Sequence, residues 1–212
     1  QTQESKTMPE KLISELLDLP EKVRKGDFVL NLSKGITEPD KTLEQYVVTP
    51  QLVACFDDAL GFINNRTVIS MAEGSRLDLV RVHDSPFGVP HFDALSATLG
   101  ARSGLNDTLF QTGASWTRSE IDIVLNGERA TVDLGGVFVA RGAQVSDIHT
   151  VLSHEAPGVT SRQNYRGLAA DEARGVFHGQ IKVEAEARGA DATQSNRNML
   201  LSKRAQVHST PA

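Results

Sequence analysis

Six histidines, one cysteine and a spread of carboxylates are the residues of this chain whose types could carry chemistry. His149 and His154, in IHTVLSHE, look at first like a metal pair. Their separation is five, and on a strand an odd separation puts two side chains on opposite faces. One is therefore expected inward and the other at the surface, and a shared ion would require a break in the strand. His83, His91, His178 and His208 are isolated in sequence, and any of them could join a site in three dimensions. Cys55 stands in QLVACFDDAL, between apolar and acidic neighbours. A reactive thiol needs a positive or helix-N-terminal setting, so a buried structural cysteine is expected. Asp57, Asp58, Asp78, Asp122, Asp133, Asp171 and Glu172 are scattered, and solvated faces and turn caps are their expected places. Trp116, in GASWTRSE, reads as a partly packed surface ring. Contiguous P-loops, dinucleotide glycine fingerprints and serine nucleophile elbows are absent. Nothing in these residues indicates an enzyme.

The elements that would position these groups change character along the chain. Thr7 and Glu10 form a capping box with Pro9 in the first turn, and Leu12, Ile13, Leu16 and Leu17 follow at helical spacing. Residues 1–27 are thus expected to be an N-terminal helical arm. From Phe28 onward the period becomes two. Ile121, Ile123 and Leu125 alternate with polar residues, as do Ala130, Val132 and Leu134, and later Ile181, Val183, Ala185 and Ala187. Shorter runs stand at FVLNL, EQYVV, RTVISMA and SRLDLVRV. Asn126-Gly127, Gly135-Gly136 and Arg141-Gly142 punctuate them as turn signals. Residues 28–212 are expected to be one all-β domain.

Two all-β architectures fit this pattern. Asn126-Gly127 between alternating runs is a hairpin signal, which favours an antiparallel β-sandwich. Sparse aromatics, 5% of the chain, and small or branched inward residues suit the narrow interior of a solenoid. No clean repeat at a fixed period stands out, and the local pattern leans slightly to the sandwich.

Composition bounds the partners. The 212 residues are 39% hydrophobic and 23% charged, with a net charge of −5 and no long basic run, which argues against nucleic acid. No stretch approaches the ~20 apolar residues of a membrane span. The N-terminal residues lack a basic region followed by an apolar one, so no secretory signal is expected. The single cysteine rules out an internal disulfide, and a cytoplasmic location is expected.

The last third of the chain carries an ordered set of motifs. His154, Pro157, Ser161 and Arg162 are followed by Tyr165-Arg166-Gly167. Then come Ala173-Arg174-Gly175-Val176-Phe177 with Gly179 and Ile181, and finally Gln194 with Asn196-Arg197-Asn198-Met199-Leu200-Leu201-Ser202. This order resembles the shared core of the SufB/SufD family of iron–sulfur cluster assembly scaffolds, and RSEIDIVLNGERATVDLGG upstream is similar to its SufD branch. The resemblance spans roughly residues 66–212, fainter before. It implies a right-handed parallel β-helix, reversing the lean to the sandwich. It also implies a non-catalytic scaffold subunit acting with a SufB-like subunit and a SufC-like ATPase. No cofactor is expected in this chain alone, because the ATP sits on a separate subunit and the complex handles the cluster. Arg174, Gly175, Phe177, Gly179, Asn196, Arg197 and Asn198 are expected to be structural. Gly167, Gly175 and Gly179 would let rungs bend or approach closely, and Asn196 and Asn198 would cap turns or bond backbone between rungs. Arg174 and Arg197 would pair with carboxylates inside an assembly.

In the family, a Cys-x-His-Gly element that serves the nascent cluster follows the counterpart of Ser209-Thr210-Pro211-Ala212. The sequence stops at Ala212, so no cluster ligand carries over to any position here, and a C-terminally truncated scaffold is expected. Its last rung would then dimerise, be covered by the N-terminal helix or aggregate. Two other readings stay open: a β-helix carbohydrate-active enzyme, which needs carboxylates converging in a groove, and an interaction module without metal chemistry.

Overall fold

The computed structural model describes residues 27–31, 53–56, 59–85 and 87–211. The described residues form thirteen strands: β1 (Asp27–Asn31), β2 (Val53–Phe56), β3 (Ala59–Met71), β4 (Arg76–Ser85), β5 (His91–Leu99), β6 (Gly104–Gly113), β7 (Trp116–Leu125), β8 (Thr131–Ala140), β9 (Val145–His154), β10 (Thr160–Ala169), β11 (Arg174–Val183), β12 (Asp191–Leu200) and β13 (Gln206–Pro211). The alternating run from Ile181 stops being strand at Val183, and Ala185 and Ala187 lie in the corner beyond it. The expected N-terminal helix lies outside the described residues, as does EQYVV. Among the described residues no helix is long and apolar enough to cross a membrane.

From β3 onward each strand pairs with the next but one, always in parallel. One sheet runs β1-β3-β5-β7-β9-β11-β13 and the other β12-β10-β8-β6-β4. Consecutive strands therefore alternate between two facing sheets, and each pair makes one turn of a β-solenoid of about five turns. The parallel solenoid implied by the family resemblance is the observed fold, and the β-sandwich alternative is overturned. Asn126-Gly127 is not a hairpin turn. It carries the chain from β7 in one sheet to β8 in the other, and the only antiparallel pair among the described strands is β2 with β3. A turn signal records that the chain changes direction; whether the next strand pairs with the previous one is decided elsewhere.

Register explains why no repeat was visible. Ile63 pairs with His91, His91 with Thr117, Trp116 with Val145, Val145 with Arg174 and Arg174 with Gln206, offsets of 28, 26, 29, 29 and 32 residues. The strands keep their alignment, and the corners absorb the difference. The ladder also runs on past the strand ends: Gly100 N–H donates to Met71 O at 2.9 Å, Gly127 to Leu99 O at 3.0 Å and Glu155 to Leu125 O at 3.0 Å. Corner amides are thus paired between turns, as buried backbone must be.

The interior is divided lengthwise. Met71, Leu77, Leu99, Leu105, Leu125 and Val132 fill the side near the corners at 72–75, 100–103 and 126–130. On the opposite side, near the corner at 87–90 and those below it, many inward residues are polar: His83, Ser85, His91, Gln111, Thr117 and Ser146 are all buried. Lower down, rings replace them. Phe138, Tyr165 and Phe177 are fully buried, with the rings of Tyr165 and Phe177 5.2 Å apart.

Glycines at inward positions make room for those rings. A Cβ on Gly167 would lie 2.1 Å from Phe138 Cζ, one on Gly175 2.5 Å from the same atom, and one on Gly136 2.9 Å from Tyr165 Cε1. Of the two uses expected for Gly167, Gly175 and Gly179, bends or close approach, their positions within β10 and β11 match close approach: each exchanges a side chain for space. Gly127 serves another need, because a Cβ there would fall 2.0 Å from Ala101 N.

The contrast between rigid and yielding neighbours gives a test. Gly127→Ala collides with backbone that cannot retreat and is expected to lower stability by about 3 kcal/mol. At Gly179 the nearest atom is the end of the flexible Gln194 side chain. Gly179→Ala is expected to cost less than about 1.5 kcal/mol, with urea denaturation of the two variants as the measurement.

Candidate functional site

The polar side of the interior contains one concentrated group of charges. Alternation along β4 turns Arg81, His83 and Ser85 inward, along β5 it turns His91 and Asp93 inward, and along β6 Asp107 and Gln111. Arg81 donates to Asp107 twice, Nε to Oδ1 at 2.9 Å and Nη2 to Oδ2 at 2.6 Å, and its Nη1 reaches Asp93 Oδ2 at 2.5 Å. All three residues are at most 6% exposed. Burial works against the charge on Arg81, but Asp107 and Asp93 together outweigh it and raise its pKa. The fork geometry of guanidinium on carboxylate is what makes such a buried arrangement tolerable.

The corner between β4 and β5 brings His83 and His91 together, with ring centroids 4.3 Å apart and the planes tilted by 41°. Asn65 Nδ2 lies 3.0 Å from His91 Nε2 and Ser85 Oγ 2.7 Å from its Nδ1. An amide nitrogen can only donate, so Nε2 accepts and Nδ1 carries the proton toward Ser85. Burial lowers the His91 pKa. His83 is pushed down to about 2, by burial first and then by His91 and Arg81. Both rings are therefore neutral. His83 Nε2 stands 3.7 Å from Asp93 Oδ1, and its Nδ1 has no hydrogen-bond partner. One donor atom from each of His83, His91 and Asp93 lies within 4.8 Å of the other two.

Neighbouring polar residues join successive turns. Gln111 Nε2 donates to Thr117 Oγ1 and to Ser146 Oγ, both at 2.7 Å, and its Oε1 accepts from Ser119 Oγ at 2.8 Å. Tyr165, buried beneath, has its hydroxyl pKa raised by burial and by the charge of Asp107. On the outer face of the larger sheet a second cluster gathers. Arg118 Nη2 meets Glu120 at 2.9 Å and its Nη1 meets Asp147 at 2.7 Å, while His149 Nε2 is 2.9 Å from Asp147. His178 lies beside His149 on the next strand, with ring centroids 5.2 Å apart.

Several readings from the sequence hold. His154 is fully buried and His149 half-exposed, on opposite faces of β9. Trp116 is half-exposed and packs edge-on against Phe92 at 5.1 Å. Asp78, Asp122, Asp133, Asp171 and Glu172 are exposed, and Asp171 caps the neighbouring corner by accepting from Gly142 N–H at 2.9 Å. Cys55 falls in β2, where its side chain lies outside the described residues. Phe177 is core and Gly175 and Gly179 are buried beside it. Arg174 and Arg197 are exposed and make no ion pair among the described residues. Asn196 and Asn198 neither cap turns nor bond backbone between rungs. They point inward on β12, where Asn198 Nδ2 donates to Asn196 Oδ1 and the other amide atom of each is unpartnered. The reading missed Arg81, Asp93 and Asp107 altogether. The signal was local: Arg81 and Asp93 occupy apolar-parity positions in otherwise alternating strands.

Comparison with known proteins gives a consistent picture. The family described as SUF system FeS cluster assembly, SufBD core domain, matches residues 43–212. The chain is 28% identical over 156 residues to the iron–sulfur cluster assembly protein SufD of Escherichia coli, covering 73% of this chain and 37% of that protein. It is 25% identical over 192 residues to a SufBD family protein of Mycobacterium leprae, covering 84% and 49%. A SufBD family protein of Synechocystis matches at 23% over 150 residues, covering 71% and 33%. The chain thus spans between a third and a half of the length of these relatives.

Removing Arg81 would strand two buried carboxylates. Arg81→Leu is expected to cost about 3–5 kcal/mol, and Arg81→Leu with Asp93→Asn and Asp107→Asn to recover most of it, as read by urea denaturation. The pH dependence follows from the histidines. His83, His91 and His154 all have lowered pKa values, burial being the first cause for each. Below the unfolded value near 6.5 the unfolded chain takes up protons that the folded chain refuses, so stability is lost as pH falls. Each histidine adds to that slope, and His154→Asn is expected to flatten the stability curve as pH falls below 6.5, read by urea denaturation across that range.

Proposed function

The chain belongs to the SufBD core family of SUF-system iron–sulfur cluster assembly proteins, and from that membership we propose that it is a non-catalytic scaffold subunit. It works with a SufB-like subunit and a SufC-like ATPase in the cytoplasm. The single observation that carries this reading is the family match over residues 43–212. The physical character of the chain supports it. The body is a stack of parallel strands whose buried guanidinium is held by carboxylates of the same chain, Arg81 by Asp93 and Asp107. Such a body holds its outer faces in fixed relation, which is what a subunit positioning partners and cargo requires. Iron and sulfide are cargo in this scheme, and ATP is hydrolysed on another chain, in keeping with the missing P-loop.

A β-helix carbohydrate enzyme would need acids converging in an open groove. Among the described residues carboxylates share an arginine in two places, Asp93 and Asp107 on the buried Arg81 and Glu120 and Asp147 on Arg118 at the outer face, and each pair is tied to its cation, which does not favour that reading. An interaction module without metal chemistry differs from the scaffold only in its effect on cluster yield.

Anaerobic co-expression of this chain with matching SufB-like and SufC-like subunits tests the proposal. Purification through this chain is expected to recover both partners and to raise the iron and sulfide content of the SufB-like subunit. Recovery of this chain alone would overturn the scaffold reading. Recovery of partners with unchanged cluster content would leave an interaction module in its place.

A further inference from the structure

The group around His83 is richer than a packing role requires. Two carboxylates face one guanidinium, so the cluster carries a negative charge in excess, and beside it stand two imidazoles with lone pairs to give. We propose that His83, His91 and Asp93 form a buried binding site for a divalent first-row transition metal ion, set between the first two turns of the solenoid.

The donor set is two neutral imidazoles and one carboxylate. That combination suits iron(II), zinc or cobalt and is poorly matched to calcium or magnesium, which prefer all-oxygen shells. Spacing agrees with the chemistry. Metal–nitrogen and metal–oxygen bonds of about 2.1 Å place neighbouring ligand atoms about 3.0–3.4 Å apart in octahedral or tetrahedral shells. His83 Nε2 and Asp93 Oδ1 are already 3.7 Å apart, and the three donors lie within 4.8 Å of one another, so side-chain shifts that shorten the longest separation by about 1.4–1.8 Å close the site.

The surrounding residues are placed as supports for ligands. Asp93 gives Oδ2 to Arg81 and turns Oδ1 toward His83, the arrangement of a metal carboxylate held from behind. His91 is held at both nitrogens, by Ser85 and by Asn65, so that binding replaces one partner while the other fixes the ring. His83 is 5% exposed, yet its Nδ1 has no partner, and Asn65 Oδ1 beside His91 is also unpaired. Buried polar atoms in a folded protein are nearly always satisfied; an ion beside His91 would give the unpaired Asn65 Oδ1 a cation to face, while His83 Nδ1 is the nitrogen opposite the ligating Nε2. The cluster lies inside the solenoid, so loading is expected to accompany folding.

The inference is independent of the scaffold reading, because its test needs no partner. The 212-residue chain is produced with cobalt(II) present during folding, and unbound metal is then removed on a desalting column. One cobalt per chain is expected, with a visible ligand-field spectrum that lacks thiolate charge-transfer bands. X-ray absorption on the unaltered chain is expected to count two imidazole ligands. His83→Gln and His91→Gln are each expected to weaken binding more than about 100-fold, beyond the loss from a supporting residue alone. His149→Gln with His178→Gln, at the surface, is expected to leave it unchanged. An all-oxygen shell, no retained cobalt, or retention that follows the outer histidines would overturn the site. The X-ray absorption result stands even where a core variant fails to fold.

Discussion

The fold depends on one constraint, the parallel in-register pairing of each strand with the strand one turn away. Parallel partners lie about 4.8 Å apart, and side chains alternate strictly between faces. Every inward residue therefore sits directly above an inward residue of the next turn. The interior becomes a set of columns, and the composition of each column decides what the solenoid can hold. Where Leu99 stands over Leu125, or Leu77 over Leu105 and Val132, the column is apolar, until His154 and Ser161 enter the same two columns and bond each other at 2.9 Å. Where a ring enters, as at Phe138, the residue beneath it must shrink, and Gly167 occupies that place. Large and small residues alternate down a column as they do across any close-packed interior.

The same constraint accounts for the interior polar groups. His91, Thr117 and Ser146 are successive members of one column, and Gln111 reaches across from the facing sheet to bond two of them. The polarity is shared among turns, so that each hydroxyl and amide finds its partner above or below. Arg81 follows this logic with charge. It needs a carboxylate from two different strands, and the solenoid supplies both at hydrogen-bonding distance.

How much of this was legible depended on whether a feature was local. Strands were visible from alternation, because period two is a property of neighbouring residues. The faces of His149 and His154 were visible for the same reason. Sheet pairing was not: alternation is the same whether a strand meets its sequence neighbour or the next but one, and Asn126-Gly127 misled accordingly. Offsets that wander between 26 and 32 residues hid the turn length from any search at fixed period. Family resemblance supplied the solenoid where local pattern could not. The charged cluster was hidden by distance, since His83 and His91 meet only because a corner folds β5 back across β4. Asp107 joins them only because β6 lies one turn below.

The position of Arg81 bears on cooperativity. A stacked solenoid can in general grow or fray by single turns, each turn contacting only its neighbours. Here the first turn carries a guanidinium whose counter-ions, Asp93 and Asp107, both belong to the second. Closing the first turn alone would bury an unpaired cation, and closing the second alone would bury two unpaired anions. Each turn on its own lacks the counter-charges that the other supplies, so these two are coupled more strongly than turns joined by apolar contact alone. A molecule built from repeated units thereby acquires one double unit whose halves are stable only together.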